Sequence, residues 1–291
     1  MKEYTTPFIR NVALVSHSSA GKTMLAEAFL HFSGATTRLG TIEDGTTVSD
    51  FDEEELRRKI SLYTSVIPVE YRDVKINLLD TPGYTDFVGE VISALRVADG
   101  AVVLVDSVAG AEVGTEIALR YCGEFKLPSL VVINKMERDN ANFQKALASV
   151  EELSDVRLIP VQLPLGEKAD FKGVIDLLTM KAYKGDGKTA SEIPAEFKAA
   201  AEKARTALIE AAAESDNELM ERYFENGDLS PEETLRGLKS IVRTCTFRPV
   251  FVSSAVMSIG VAALMNAVID LFPSPADVTP ATAEGKEGPE A

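Results

Sequence analysis

The run Ser16-His17-Ser18-Ser19-Ala20-Gly21-Lys22-Thr23 has the residue types and spacing to hold phosphate. It follows an apolar run from Asn11 to Val15 and opens a helical run. The pattern is x-x4-G-K-T, with Ser16 where the usual loop begins on Gly. Backbone N–H groups of such a loop, and of the helix start behind it, aim at phosphate oxygens. Residues Ser16, His17, Ser18, Ser19 and Ala20 would form the cradle. Gly21 lets the backbone come close. Lys22 places a point charge on the β- and γ-phosphates, and Thr23 offers a hydroxyl to Mg2+. A GKT triplet also occurs by chance at helix starts, but here strand, loop and helix come in the order that the chemistry needs. This loop alone does not separate ATP from GTP.

Three further groups extend the site. Asp80-Thr81-Pro82-Gly83 ends a strand-like run. An Asp at a strand end can hold Mg2+ through water, and Gly83 frees an N–H for a γ-phosphate. A plain turn would use the same residues. Asn134-Lys135-Met136-Glu137 follows another strand-like run. The Asn-Lys pair can brace the loop and pack on a purine, and Glu137 can accept from guanine N1–H and N2–H. Ser253-Ser254-Ala255 offers small residues and N–H groups for guanine O6. Each group is weak singly. Four in this order, each at the C-terminal end of a strand, mark the edge where open α/β sheets bind ligands.

The elements that must position these groups are legible as patterns. Residues 101–105 (AVVLV) and 130–133 (LVVI) are near-continuous apolar runs, as in parallel strands covered on both faces. Residues 65–71 and 75–79 read as a hairpin across Arg72-Asp73. Residues 115–125 and 143–153 have helical spacing. Strand and helix alternate, which predicts an α/β fold with a mostly parallel, doubly wound sheet. After Val156 the pattern shifts to short strands, then to helix over 196–225 and 231–243, the latter with Ser230 as N-cap and Glu233 three positions on. Strand and helix return at 249–253 and 261–272. The expected organisation is therefore residues 1–156 as the first part of a nucleotide domain and 157–245 as an α+β insertion. Residues 246–275 complete the domain, and 276–291 form a linker or disordered tail rich in Pro, Gly, Ala and Glu.

Composition narrows the class. The 291 residues are 45% apolar and carry a formal charge of −15, values of a folded acidic chain. That sign opposes an extended grip on DNA, and any RNA contact must use a local basic patch. Two cysteines without CxxC, and two histidines, argue against a disulfide scaffold or structural zinc. No apolar run approaches the ~18 residues of a membrane span, and the N-terminus has no signal-peptide core. A reducing cytoplasm is the expected compartment.

With these residues in hand, the chain resembles the GTP-binding domain of translation elongation factor G, and is most similar to its divergent elongation factor G-like branch. SHSSAGKT matches the family's AHIDAGKT, and DTPGYTDF its DTPGHVDF. INKMERDNANF matches VNKMDRxGANF, and VSSAVMSIGV matches GSAFKNKGV. Residues 49–62 (SDFDEEELRRKISL) correspond to the first switch, which ends RGITI in the family. The likeness covers residues 8–275. It implies a translational GTPase domain of the P-loop NTPase fold, with switches near 41–61 and 83–90, that binds GTP and GDP with Mg2+ and acts on the ribosome. Partners would be rRNA and a stalk protein, met through local patches, with neither membrane nor DNA. Over 191–240 acidic residues outnumber basic ones two to one, a surface for a basic stalk protein under this resemblance. The family's further domains follow this region.

The departures fall at chemical positions. Tyr84 stands where the family's His orients the attacking water, so Tyr84 and Lys22 are the catalytic candidates. A phenol can position water but cannot become an imidazolium, which predicts slow hydrolysis. Glu137 replaces the Asp that reads guanine and is one methylene longer. Ser61 replaces the Thr that joins Thr23 and Asp80 around Mg2+, and keeps the hydroxyl. Lys59 replaces a switch Gly, and Ser19 a phosphate-loop Asp. His17 matches a family His and suits a backbone contact or packing. A weak GTPase is the first reading; the alternatives are a scarcely hydrolysing GTP-dependent switch and an ATP-binding module.

Overall fold

A computed structural model describes residues 2–278, together with the backbone of 283–285 and 288–290. In chain order the first part holds β1 (Ile9–Val15), α1 (Lys22–Phe32), α2 (Glu53–Arg58), β2 (Ser65–Tyr71) and β3 (Val74–Asp80). It continues with α3 (Val88–Val97), β4 (Gly100–Asp106), α4 (Val113–Glu124), β5 (Ser129–Asn134) and α5 (Phe143–Glu151). Then come β6 (Arg157–Pro160), β7 (Gln162–Leu165), β8 (Gly173–Asp176), β9 (Lys181–Lys184) and β10 (Thr189–Ser191). Three helices follow, α6 (Ala195–Ala213), α7 (Asn217–Asn226) and α8 (Pro231–Arg243), before β11 (Phe247–Val252) and α9 (Val261–Leu271). Strands Ala283–Gly285 and Gly288–Glu290 pair with each other; the rest of the expected tail beyond 278 lies outside the described residues.

Seven strands form one sheet in the order β2-β3-β1-β4-β5-β11-β6. All pair in parallel except β2, which turns back on β3 through Arg72 and Asp73, both left-handed with φ 49° and 58°. The mostly parallel α/β sheet read from the sequence is the sheet that forms. Alternation within the buried strands feeds two cores. Val12, Leu14, Val102 and Leu104 face one, shared with α1 and α9, while Ala13, Val15, Val103 and Val105 face the other, shared with α3, α4 and α5. Both faces are covered, which is why these runs read as continuous apolar sequence.

The inserted block is α+β: a second, antiparallel sheet in the order β10-β9-β8-β7, followed by α6 to α8. Its boundary differs from the expected 156/157. β6 pairs in parallel with β11, so the main sheet keeps residues 157–160 and the chain leaves it at Val161. The block has a small buried cluster of its own, Ile209, Ala212, Ala213, Leu219 and Leu229, but it also shares the main core. Leu208 and Ala211 of α6, and Leu238 and Ile241 of α8, join the same buried cluster as Val12 and Phe251. The single helix expected over 196–225 is two. α6 stops at Ala213, and Asp216 accepts a hydrogen bond from Glu218 N (2.8 Å) to start α7. A short carboxylate offers the backbone this local partner and so favours a cap over a continuing helix. The Ser230 N-cap forms as expected, with Glu233 reaching back to Ser230 N at 2.9 Å. No helix among the described residues is long and apolar enough to cross a membrane.

Candidate nucleotide-binding site

Strand register decides where the motifs meet. Leu14 lies opposite Asp80, Asp106 opposite Asn134, and Val252 opposite Ile133. The four motif groups therefore leave the sheet side by side at one edge, between β3 and β11.

Asn134 joins three of them. It is buried, and its Nδ2 donates to Ala20 O at 3.0 Å. Its Oδ1 accepts from Ser253 Oγ (2.9 Å) and from Ala255 N (3.1 Å). Gly21 is needed for this fit: its φ is 102°, and a Cβ there would lie 2.5 Å from Asn134 Nδ2. Lys135 adds a second strut, donating to Ser19 O and to Asp106 Oδ2 (2.9 Å). Burial opposes the charge on Asp106. Lys135 and the N–H groups of Val108 and Ala109 outweigh it and hold the carboxyl below its ordinary range.

Lys22 and Thr23 open α1 beside the loop. Lys22 Nζ donates to Ser16 Oγ (2.9 Å) and to His17 O (3.4 Å), so the Ser in place of the usual Gly holds the lysine in position. Burial lowers the Lys22 ammonium to about 8, against the pull of Asp80 and Asp50. Thr23 Oγ1 donates to Asp80 Oδ2 at 2.8 Å and lies 3.4 Å from Ser61 Oγ, which donates to Asp50 Oδ1 at 2.7 Å. The other oxygen of Asp80, Oδ1, is buried and has no hydrogen-bond partner. These residues fit Mg2+: an unpartnered carboxylate oxygen beside two hydroxyls is a hard, all-oxygen set. Among the described residues no group of three or more His, Cys, Asp or Glu could hold a metal alone. Mg2+ commonly takes one or two carboxylates and completes its shell with phosphate and water.

Gly83 comes up against the loop. A Cβ there would lie 2.6 Å from Lys22 Nζ and 2.6 Å from Ser18 Cα, so only Gly fits. Tyr84 follows, 43% exposed, its hydroxyl without a hydrogen bond among the described residues. Lys22, Thr23, Lys59, Ser61, Tyr84 and Lys135 line one cleft of about 390 Å3. Ser18 and Ser19 also line it, and Ser19 takes a left-handed φ of 62°. Lys59 ends α2 at φ 57°, the geometry a Gly adopts freely and a Lys only with strain. His17 makes a backbone contact: its Nδ1 accepts from Gly114 N at 3.2 Å and ties the loop to α4.

The base-reading groups are only partly as expected. Glu137 Oε2 is buried and unpartnered. Ser254 N already donates to Ile259 O (3.0 Å) and Ala255 N to Asn134 Oδ1, so both expected N–H donors are committed within the protein. They shape the loop, and Val256 is the residue of that loop that lines the cleft. Asp50, Asp106 and Val256 also belong to this region without a motif to mark them: Asp50 meets Ser61, Asp106 meets Lys135, and Val256 lines the cleft. Of the three, only Asp106 has a signal in the sequence, its place at a strand end. A more enclosed cavity of about 250 Å3 lies between α8, α9 and the second sheet. It is lined by Leu238, Phe251, Ala263, Asp176 and Asp270 among others, and has no cation to meet phosphate.

Residues 8–274 match the family described as the elongation factor Tu GTP binding domain. The chain belongs to this family. It is 37% identical over 286 residues to elongation factor G of Mycoplasma pneumoniae, covering 97% of this chain and 42% of the relative. A crystal structure of a Thermus thermophilus protein superposes with a TM-score of 0.86 at 35% identity, covering 93% of this chain and 41% of that one. The chain thus spans about two fifths of the length of the relative it matches.

Burial raises the Asp80 carboxyl to about 6, against the pull of Lys22 and Thr23. Between its ordinary value and about 6 the folded chain holds a proton that the unfolded chain releases. This group's contribution to stability therefore falls as pH rises through that window. In nucleotide-free protein, Asp80→Asn should gain on the wild type as pH rises from about 4 to 7, read from urea midpoints. A constant difference would contradict the burial of a charged Asp80.

Proposed function

We propose that this chain is the GTP-binding switch domain of a ribosome-associated, elongation factor G-like GTPase. The buried, unpartnered Glu137 Oε2 supports the guanine reading; Glu137 follows the Asn134–Lys135 strut in the chain but is not among the residues that line the cleft. A buried acceptor of this kind wants a donor, and guanine N1–H and N2–H supply two. Lys22 and the N–H groups of residues 16–21 would hold the phosphates of GTP or GDP. Thr23, Ser61 and Asp80 would hold Mg2+, which would supply positive charge against the charge that develops on the phosphates. Small Ser254 and Ala255 would leave room for the base edge.

Tyr84 would position the attacking water beside Lys22 and Gly83. Its phenol carries no positive charge to the transition state, and no protein partner among the described residues fixes its hydroxyl. Losing one such stabilising contact costs about 3 kcal/mol, or roughly 100-fold in rate. Hydrolysis is slow on this account, and its low-rate limit is a switch that binds and scarcely turns over. The name of the Mycoplasma relative, elongation factor G, supports a role in translation. On this reading the chain would work in the cytoplasm on the ribosome, meeting rRNA and stalk protein through local patches. Several acidic groups of 191–240 are already paired, Glu218 and Glu233 with Arg222, and Asp216 with Arg236. The remaining surplus is what a basic stalk segment would meet.

Two variants test the site. Glu137→Ala should lower the preference for GTP over ATP by roughly 10- to 100-fold, read by titration with Mg2+. An unchanged ratio means that Glu137 does not read the base. Tyr84→His should raise the single-turnover rate by about 100-fold. A rate that stays level or drops removes Tyr84 as the cause of slow hydrolysis.

A further inference from the structure

The first switch is tied to the nucleotide helix by a buried carboxylate that no motif singles out. Glu27 sits on α1 and is 1% exposed. Its Oε2 accepts from Gly40 N (3.1 Å) and its Oε1 from Val48 N (2.6 Å). No cation pairs with it among the described residues. A Cβ at Gly40 would lie 2.5 Å from Glu27 Oε2 and 2.5 Å from Thr46 O, so the carboxylate meets bare backbone. Between these anchors the chain closes on itself. Thr41 N donates to Thr46 Oγ1 (3.0 Å), Thr46 N to Thr41 O (3.1 Å), and Thr41 Oγ1 to Asp44 Oδ2 (2.7 Å). Residues 41–46 are a small loop, and Glu27 holds its neck from both sides. Within the switch, Glu55, 2% exposed, braces α2 against the following segment, accepting from Leu62 N (2.9 Å), Tyr63 N (3.2 Å) and Asp52 N (3.3 Å).

We propose that Glu27 is a positioning residue that latches the neck of the first switch to the nucleotide helix and sets how long GTP stays bound. The physics is direct. Hydrogen bonds from N–H to a buried carboxylate are the strong kind, and breaking them strands a charge. Glu27 lies one turn beyond Thr23 on the same helix, so the latch and the phosphate groups share one rigid element. Both bonds lie within the protein. They hold the neck in place, so less of the switch that carries Asp50 and Ser61 is left to order at Thr23 and Asp80.

The latch itself is independent of the proposed nucleotide reading, while its effect on GTP rests on that reading. Amide hydrogen exchange of the full chain without nucleotide tests the first. Glu27→Gln should raise exchange at Gly40 and Val48 by on the order of 10-fold or more, with the β4 amides unchanged. Glu27→Asp, shorter by a methylene, should free at least one of the two amides and serves if the Gln variant does not fold. Unchanged protection at both amides in either folded variant overturns the proposal. Nucleotide dissociation tests the second. GTP should leave several-fold faster from the variant while GDP leaves at the wild-type rate, a split that general loosening would not produce. Equal acceleration of both overturns the positioning role. If the chain binds no guanine nucleotide, the exchange result still decides the latch.

Discussion

The site hangs on one buried amide. Asn134 holds the phosphate loop through Ala20 O and the 253–255 loop through Ser253 and Ala255. All three bonds are buried, so losing any of them costs about 1–3 kcal/mol in unpaired polar groups. The amide fixes the distance between the loop that meets phosphate and the loops that meet a base. Gly21 exists at its position because nothing larger fits beside that amide. Parallel register then does the rest, because it brings the ends of β1, β3, β4, β5 and β11 to one edge.

Around this joint the protein buries charge that it does not neutralise internally. Lys22 and Asp80 are both shifted against their charged forms by burial. Asp50 is raised as well, again chiefly by burial. Opposite charges buried together at the edge of a cleft are the signs of a site suited to charged ligands. The backbone is strained in the same region, with Ser19, Lys59 and Lys135 all at positive φ. Strain and buried charge gather where a ligand would relieve them.

Much of this was legible in sequence because local physics dictates it. Runs such as AVVLV must be strands buried on both faces. A strand, loop and GKT-led helix leave little freedom for what Lys22 and Thr23 do. The contributions of Glu27, Asp50 and Asp106 were not legible, since each carboxylate acts on backbone or side-chain groups that only the fold brings near. The place of β6 was hidden for a similar reason: Arg157 pairs opposite Phe247, with the whole inserted block between them. Ser254 and Ala255 look like free donors in a motif, and only the folded loop reveals that Ile259 and Asn134 use their N–H groups.

The central claim is that these loops form a guanine-selective phosphate site. Equilibrium binding of GTP, GDP, ATP and XTP to this chain with Mg2+ tests it most directly. The account predicts micromolar or tighter GTP and GDP, with ATP at least ~100-fold weaker, about 2.7 kcal/mol. Equal affinity for GTP and ATP would contradict it and leave an ATP-binding module or a relic of the guanine site.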